Sequence, residues 1–205
     1  MRIINPDGSE VNMCGNGARC SAFYASKCGW ETDITMETGA GVLSADVSGD
    51  NVKLKMSDPK DVKLNINLGI GSNMVVAHYL NTGVPHVVHI VDDLKNCNVK
   101  EIGRGIREHT LFAPDGTNAN FVGELDKNGA SIRTYERGVE DETLACGTGT
   151  TASAIILGML GYAASPVKMK TRSGETLKVY YDIHGKSARN VYLEGTAKIV
   201  CEGKV

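Results

Sequence analysis

Met13-Cys-Gly-Asn-Gly17 and Ala145-Cys-Gly-Thr-Gly149 are two versions of one phrase, and each opens a run of small and apolar residues. Placing Cys146 on Cys14 sets an offset of 146 − 14 = 132 residues. At that offset Glu10 falls on Glu142, Gly15 on Gly147, Gly17 on Gly149, Ser21 on Ser153, Ala22 on Ala154 and Gly29 on Gly161. Seven matches without a gap, cysteine among them, read as an internal duplication rather than chance likeness between two small-residue helices. The second half is placed from about Ser72, so the chain divides into residues 1–71 and 72–205. About seventy residues then precede Cys146 in its half and thirteen precede Cys14; repeats share one architecture, so the first half is expected to lack roughly sixty N-terminal residues.

Local patterns fill in the rest. Arg2 to Asn5 reads as the end of a strand, and Pro6-Asp-Gly-Ser9 has turn composition. The spacing predicts a helix from Gly17 to Lys27, stopped at Cys28-Gly29, and a second from Gly147 to Leu160. A third helix is predicted from Val99 to His109. Strand-like alternation marks Gly41–Val47 and Val52–Met56 around a Ser48-Gly-Asp-Asn51 turn. Further strands are expected at Met74–His78, Val87–Val91, Ala119–Val122, Ser131–Tyr135, Thr176–Asp182 and Asn190–Cys201. The chain is therefore an antiparallel-rich α+β protein.

Composition narrows the function. With 205 residues, a net charge of −2 and no long basic run, the chain lacks the electrostatic footprint of a nucleic-acid binder. Ala154 to Ala164, the longest apolar stretch, is too short to span a bilayer. The six cysteines form no CxxC pair and follow no apolar leader, which argues against structural zinc and a secreted disulfide scaffold. Free thiols in a cytoplasmic setting are the expectation, with Cys20, Cys28, Cys97 and Cys201 as small buried hydrophobes.

Cys14 and Cys146 are different, because each stands directly before Gly-x-Gly and a helix. That places the sulfur beside the first unpaired N–H groups of the helix, at the positive end of its dipole. Such a position lowers a thiol pKa from about 8.5 into the range of roughly 3.5 to 7.5. The glycines let backbone approach a ligand, and the open N–H groups suit a carboxylate. Two such helix starts about a pseudo-twofold axis put two sulfurs on opposite faces of one small anion. Inversion at a Cα needs that arrangement: a thiolate takes the proton from one face while a thiol returns one to the other.

The residues carrying this chemistry also carry a resemblance. Asn5-Pro-Asp-Gly-Ser-Glu10, Met13–Gly17, Tyr135-Glu-Arg-Gly138 and Glu142-Thr-Leu-Ala-Cys-Gly-Thr-Gly149 closely resemble the diaminopimelate epimerase family over essentially the whole chain. The resemblance implies interconversion of LL- and meso-2,6-diaminopimelate in lysine and peptidoglycan synthesis, by a homodimer using neither metal nor pyridoxal phosphate. It implies two pseudo-twofold-related halves, each an antiparallel strand barrel around a central helix, the first incomplete here. Cys14 and Cys146 then match the acid/base pair, and Gly15-Asn16 and Gly147-Thr148 the amides that hold the reacting carboxylate. Asn5, Asn118 and Arg137 match the grip on the distal end, and Glu136 the carboxylate that meets an ammonium. The chemistry suits these roles, since Arg offers a fork to a carboxylate and Glu a charge to an ammonium. His86, in Gly83-Val-Pro-His86, matches the family's Gly-Asn-Pro-His segment and is read as structural.

The chain departs from the family pattern in three places. Val84 stands where many members carry a substrate-binding Asn, and the Val139–Glu142 loop is one residue longer. The family's N-terminal segment, with an Asn in a Gly-Asn-Asp-Phe-like stretch, has no counterpart. Proline racemases and hydroxyproline epimerases show Cys-Gly-His-Gly where this chain has Cys-Gly-Asn-Gly. A histidine racemase of the same fold, a non-catalytic binding protein and a Cys14–Cys146 redox sensor remain open at this stage.

Overall fold

The computed structural model describes residues 1–4, 8 and 10–203. Its frame is set at the two cysteines, each of which caps a helix. Cys14 is extended (φ −143°, ψ 108°) and its Sγ accepts the Gly17 N–H at 3.4 Å, so helix α1 (Gly15–Lys27) begins at Gly15. Cys146 repeats this (φ −121°, ψ 109°), with Sγ accepting the Gly149 N–H at 3.4 Å, and starts helix α3 (Gly147–Met159). A sulfur thus fills the place that a Ser or Asp oxygen usually takes at a helix start. The first helix begins two residues before the predicted Gly17, because the cap residue and not the first Ala fixes the boundary.

The strands run β1 (Ile3–Ile4), β2 (Glu10–Val11), β3 (Asp33–Thr38), β4 (Gly41–Ser48), β5 (Asn51–Lys55), β6 (Lys60–Ile70), β7 (Asn73–Asn81) and β8 (Pro85–Ile90). Helix α2 (Val99–Arg107) follows, then β9 (Asn118–Asp126), β10 (Gly129–Glu136), β11 (Asp141–Thr143), α3, β12 (Val167–Lys170), β13 (Thr176–His184) and β14 (Ser187–Thr196). β1 and β2 pair with each other, and the other twelve form one sheet in the order β3-β4-β5-β14-β13-β12-β10-β9-β8-β7-β6, with β11 on β10. The protein is α+β, and the sheet is mixed, because β8–β9 and β10–β12 are parallel. β14 returns to the first half, setting Tyr192 opposite Lys55 and Thr196 opposite Asn51. Residue 71, where the halves were divided, lies in the tight turn between β6 and β7, with Gly71 at φ +58°.

α3 explains its own sequence. It packs against β7 to β10 and β12 to β14, and every residue from Gly147 to Leu157 is buried. A helix enclosed on all sides has no polar face, so GTGTTASAIILGM lacks amphipathic periodicity. Its hydroxyls turn inward along the helix: Thr150 donates to the Cys146 carbonyl (2.8 Å) and Thr151 to the Gly147 carbonyl (2.9 Å). Ile155, Ile156 and Leu157 are fully buried with Leu54, Met169, Leu177 and Leu193, each contributing roughly 1.5–3 kcal/mol. α1 lies against β3, β4 and β5 through Ala18, Ala22 and Phe23 in the same core. α2 builds a second core with Val99 and Ile106 against Leu68, Phe121 and Tyr135.

Several elements differ from the sequence reading. β2, β3, β6, β11 and β12 were not foreseen, and the last strand stops at Thr196 rather than Cys201. α2 ends at Arg107, two residues short of His109. Cys20, Cys28 and Cys201 are exposed and Cys97 is half-buried, so none is the small buried hydrophobe expected. Cys20 lies on the outer side of α1, which has only one face to bury, and Cys28 caps its C-terminal end. Among the described residues no helix is long and apolar enough to cross a membrane.

Candidate active site

The starts of α1 and α3 meet backbone to backbone. A Cβ on Gly147 would lie 3.0 Å from Leu193 Cδ2, 3.4 Å from Asn16 Oδ1 and 3.6 Å from Gly15 Cα. A Cβ on Gly15 would lie 3.4 Å from the same Leu193 atom and 3.8 Å from Gly147 Cα. Leu193 therefore sits beneath both helix starts at the pseudo-dyad, and glycine is what lets them approach. The Asn16 side chain crosses the gap, its Nδ2 donating to the Ala145 carbonyl at 3.4 Å.

A cleft of about 1010 Å³ opens over this junction. Its lining includes Cys14, Gly15, Asn16, Asn118, Glu136, Arg137, Cys146, Gly147 and Thr148, so nine of the ten site residues expected from sequence share one cavity. The tenth, Asn5, lies outside the described residues. Asn118 is committed at both ends: Oδ1 accepts the Arg137 backbone N–H at 2.9 Å and Nδ2 donates to the Pro85 carbonyl at 3.0 Å. It anchors the β10 end that carries Glu136 and Arg137 to the start of β8. Arg137 Nη1 donates to the Asp115 carbonyl at 3.0 Å, which fixes one corner of the guanidinium at the cleft wall.

Electrostatics act strongly on Cys146. Cys146 is 7% exposed, and burial first, then the Glu136 carboxylate, push its thiol up to about 12. The Thr148 hydroxyl, 3.4 Å from Sγ, and the Gly149 N–H pull the other way and do not prevail. This overturns the expectation that a helix start lowers the pKa at both cysteines: at Cys146 loss of water outweighs the N–H groups, and the residue is a thiol at neutral pH. Burial also raises the Glu136 carboxyl. His86 is fully buried and stays outside the cleft lining. Its Nδ1 lies 3.2 Å from Asn120 Nδ2, and burial with the nearby Arg137 charge lowers its pKa to about 3, so it is neutral, as a structural histidine would be.

The cleft holds residues that the motifs did not signal. Tyr79 and Phe112 stack with ring centroids 5.6 Å apart and form an aromatic wall. Lys63 and Asp61 of β6 also line the cleft, and Val84, the departure already noted in the sequence, presents methyls without a hydrogen-bond donor. Lys63 and Asp61 come from irregular β6 and Phe112 from a 3-10 turn (Thr110–Phe112), whose sequences carry no repeat or glycine signature, while Tyr79 comes from β7. Among the described residues no cluster of His, Cys, Asp or Glu is arranged to hold a metal ion.

Comparison with known proteins adds to this geometry. The family model for diaminopimelate epimerase matches residues 1–62 and 78–200. The diaminopimelate epimerase of Aquifex aeolicus is 42% identical over 207 residues, covering 99% of this chain and 73% of the relative. That of Hydrogenobaculum sp. is 44% identical over 206 residues, covering 98% and 73%. Among solved structures, a probable proline racemase from Agrobacterium radiobacter superposes with a TM-score of 0.73 at 16% identity, over 98% of this chain and 71% of that one. A PhzF-family phenazine biosynthesis protein of Bacillus anthracis gives 0.68 at 17% identity, over 96% and 76%. At such identities these two likenesses speak for the fold alone.

Proposed function

This chain belongs to the diaminopimelate epimerase family, and from that premise we propose that it interconverts LL- and meso-2,6-diaminopimelate through Cys14 and Cys146, without a cofactor. The observation that carries the reading is the matched pair of caps: two sulfurs, each accepting the third N–H of its helix at 3.4 Å, at helix starts that meet in one cleft. The halves 1–71 and 72–205 are taken as the units that each bring one cysteine. Cytoplasmic lysine and peptidoglycan synthesis and a homodimeric state belong to the same reading.

The chemistry runs as a proton exchange across one carbon. A thiolate Sγ on one face removes the Cα proton, and the released electron pair moves toward the carboxylate, which takes on enolate character. The thiol on the other face gives its proton to Cα, leaving a thiolate there, so the two sulfurs exchange states in each turnover. The N–H groups of Gly15-Asn16 and Gly147-Thr148 lie on this path. Donors aimed at a developing oxyanion in a cavity that excludes water are worth several kcal/mol. Arg137 meets the distal carboxylate and Glu136 the distal ammonium, with Asn118 holding both on the β10 end. Because burial keeps Cys146 protonated, it stands ready as the acid of the resting protein.

Proton NMR in D2O with a reductant tests this, with LL-diaminopimelate, histidine and proline in parallel. Loss of the diaminopimelate Cα signal, slowed by at least about 10³-fold in Cys14→Ala, is expected of two-base epimerisation. Exchange of histidine or proline instead moves the substrate and keeps the mechanism. A folded protein that exchanges none of the three ends the epimerase reading.

A further inference from the structure

We propose that Arg19 is a positioning residue: through the Asn16 side chain it ties the start of α3 to the start of α1 and so sets where Cys146 stands. The effect on turnover rests on the two-cysteine reading above, whereas the tie itself does not.

Arg19 sits one turn into α1 and is 4% exposed. Its Nη1 donates to the Thr196 carbonyl (3.1 Å) and to Glu175 Oε1 (3.2 Å), and its Nη2 donates to Asn16 Oδ1 (3.0 Å). The Nε is buried with no hydrogen-bond partner among the described residues. A buried guanidinium with an orphaned N–H is a poor device for stability, since apolar residues of similar volume are often as good or better. Such a group calls for another explanation.

The explanation lies one turn back. An asparagine amide presents a donor at one end and an acceptor at the other, and the two ends can swap. Arginine can only donate, so Nη2 fixes the Asn16 oxygen toward itself. The amide nitrogen must then face the Ala145 carbonyl, the group immediately before the Cys146 cap. Glu175, Arg19, Asn16 and Ala145 thus form a continuous chain from the turn before β13, through α1, to the peptide that introduces α3. The duplication makes the point sharper. At the 132-residue offset Asn16 corresponds to Thr148 and Arg19 to Thr151, whose hydroxyl returns to its own helix at the Gly147 carbonyl. The latch exists once, and it reaches from the Cys14 side to the Cys146 side.

The test uses the full chain folded at one fixed pH, with iodoacetamide labelling of each cysteine read by peptide mass mapping, alongside kcat/KM. In Arg19→Gln and Asn16→Ala the Cys146 thiol is expected to label about tenfold faster, the scale of one charge-assisted hydrogen bond. The double variant should show no further gain, because both changes open the same latch. Arg19→Lys, which keeps the charge without the fork, should fall between. If Arg19→Gln does not fold, Asn16→Ala, which leaves Arg19 on Glu175 and Thr196, decides the matter. A merely structural Arg19 would lower the melting temperature and speed labelling of Cys14 and Cys20 on its own helix, with Cys146 unchanged; that result overturns the proposal. Faster Cys146 labelling in a chain whose wild type exchanges no substrate keeps the latch and removes the epimerase reading. An active wild type with unchanged Cys146 labelling in the variants removes the latch alone.

Discussion

Replacing Cys146 with alanine removes a thiol that burial, and then the Glu136 carboxylate, push up to about 12 from an ordinary 9.0. In the unfolded chain the same thiol is hydrated and titrates near its ordinary value. Above pH 9 the unfolded chain releases a proton that the folded chain keeps, so the unfolded state gains and stability falls. The contribution is intact below about pH 9 and is lost as pH climbs to about 12. At about 1.36 kcal/mol per pH unit the whole window amounts to about 4 kcal/mol, and pH 10 lies one unit into it. The expected loss at pH 10 is therefore about 1.4 kcal/mol, a tenfold change in the folding constant.

Urea unfolding by circular dichroism, in reductant, at pH 7.5 and pH 10, measures this in the wild type and in Cys146→Ala. Other groups titrate in the same range, among them Tyr181, which burial pushes up to about 12, and the half-buried Cys97. They are common to both proteins and drop out of the difference. The variant should lose about 1.4 kcal/mol less than the wild type between the two pH values. An equal loss in both proteins would refute the buried-thiol argument. If the helix start instead held the thiol low, the wild type would gain on the variant as pH rises toward 9, the opposite sign.

Two further outcomes follow from the same geometry. Gly147→Ala forces a Cβ to 3.0 Å from Leu193 and should cost about 1–3 kcal/mol of stability and roughly 10- to 100-fold in kcat/KM, whereas Gly15→Ala, at 3.4 Å, should cost little; equal effects in thermal melts and kinetics would contradict the packing described at the pseudo-dyad. Arg137→Lys removes the fork proposed to take the distal carboxylate, so kcat/KM should fall roughly 10- to 100-fold in the NMR exchange assay, and an unchanged value would take Arg137 out of the site.

The site was more legible in the sequence than the fold around it. Cys-Gly-x-Gly repeats because a sulfur cap, a close backbone approach and a helix start all depend on the same four residues. That is a strong local constraint, and it accounts for six of the nine expected residues that share the cavity, the other three, Asn118, Glu136 and Arg137, having come from the family resemblance. β6 was missed for the opposite reason. Asp61 and Asn65 take positive φ and the pairing with β7 shifts register twice, so its side chains do not alternate cleanly. β12 is only four residues long, and its Val167 and Met169 are buried by a sheet assembled from distant segments. Lys63 and Phe112 reach the cleft from such irregular stretches, where position comes from tertiary packing and leaves no short-range pattern.

What the repeat could not convey is the inequality of its two copies. Sequence symmetry suggests two equivalent sulfurs, and the caps are alike to within the same 3.4 Å contact. Their surroundings are not alike. Cys146 is buried beside Glu136 and Thr148, while Cys14 is partly open and has Asn16 in the place of that threonine, turned away toward Ala145. A reaction with two bases of one kind needs one of them protonated and the other not, and identical environments would leave that choice to chance. Burial keeps Cys146 protonated, and α3, packed against β7 to β10 and β12 to β14, is enclosed more fully than α1 against β3 to β5. The duplicated phrase thus supplies the pair of sulfur caps, and the unequal packing around it sets their surroundings apart.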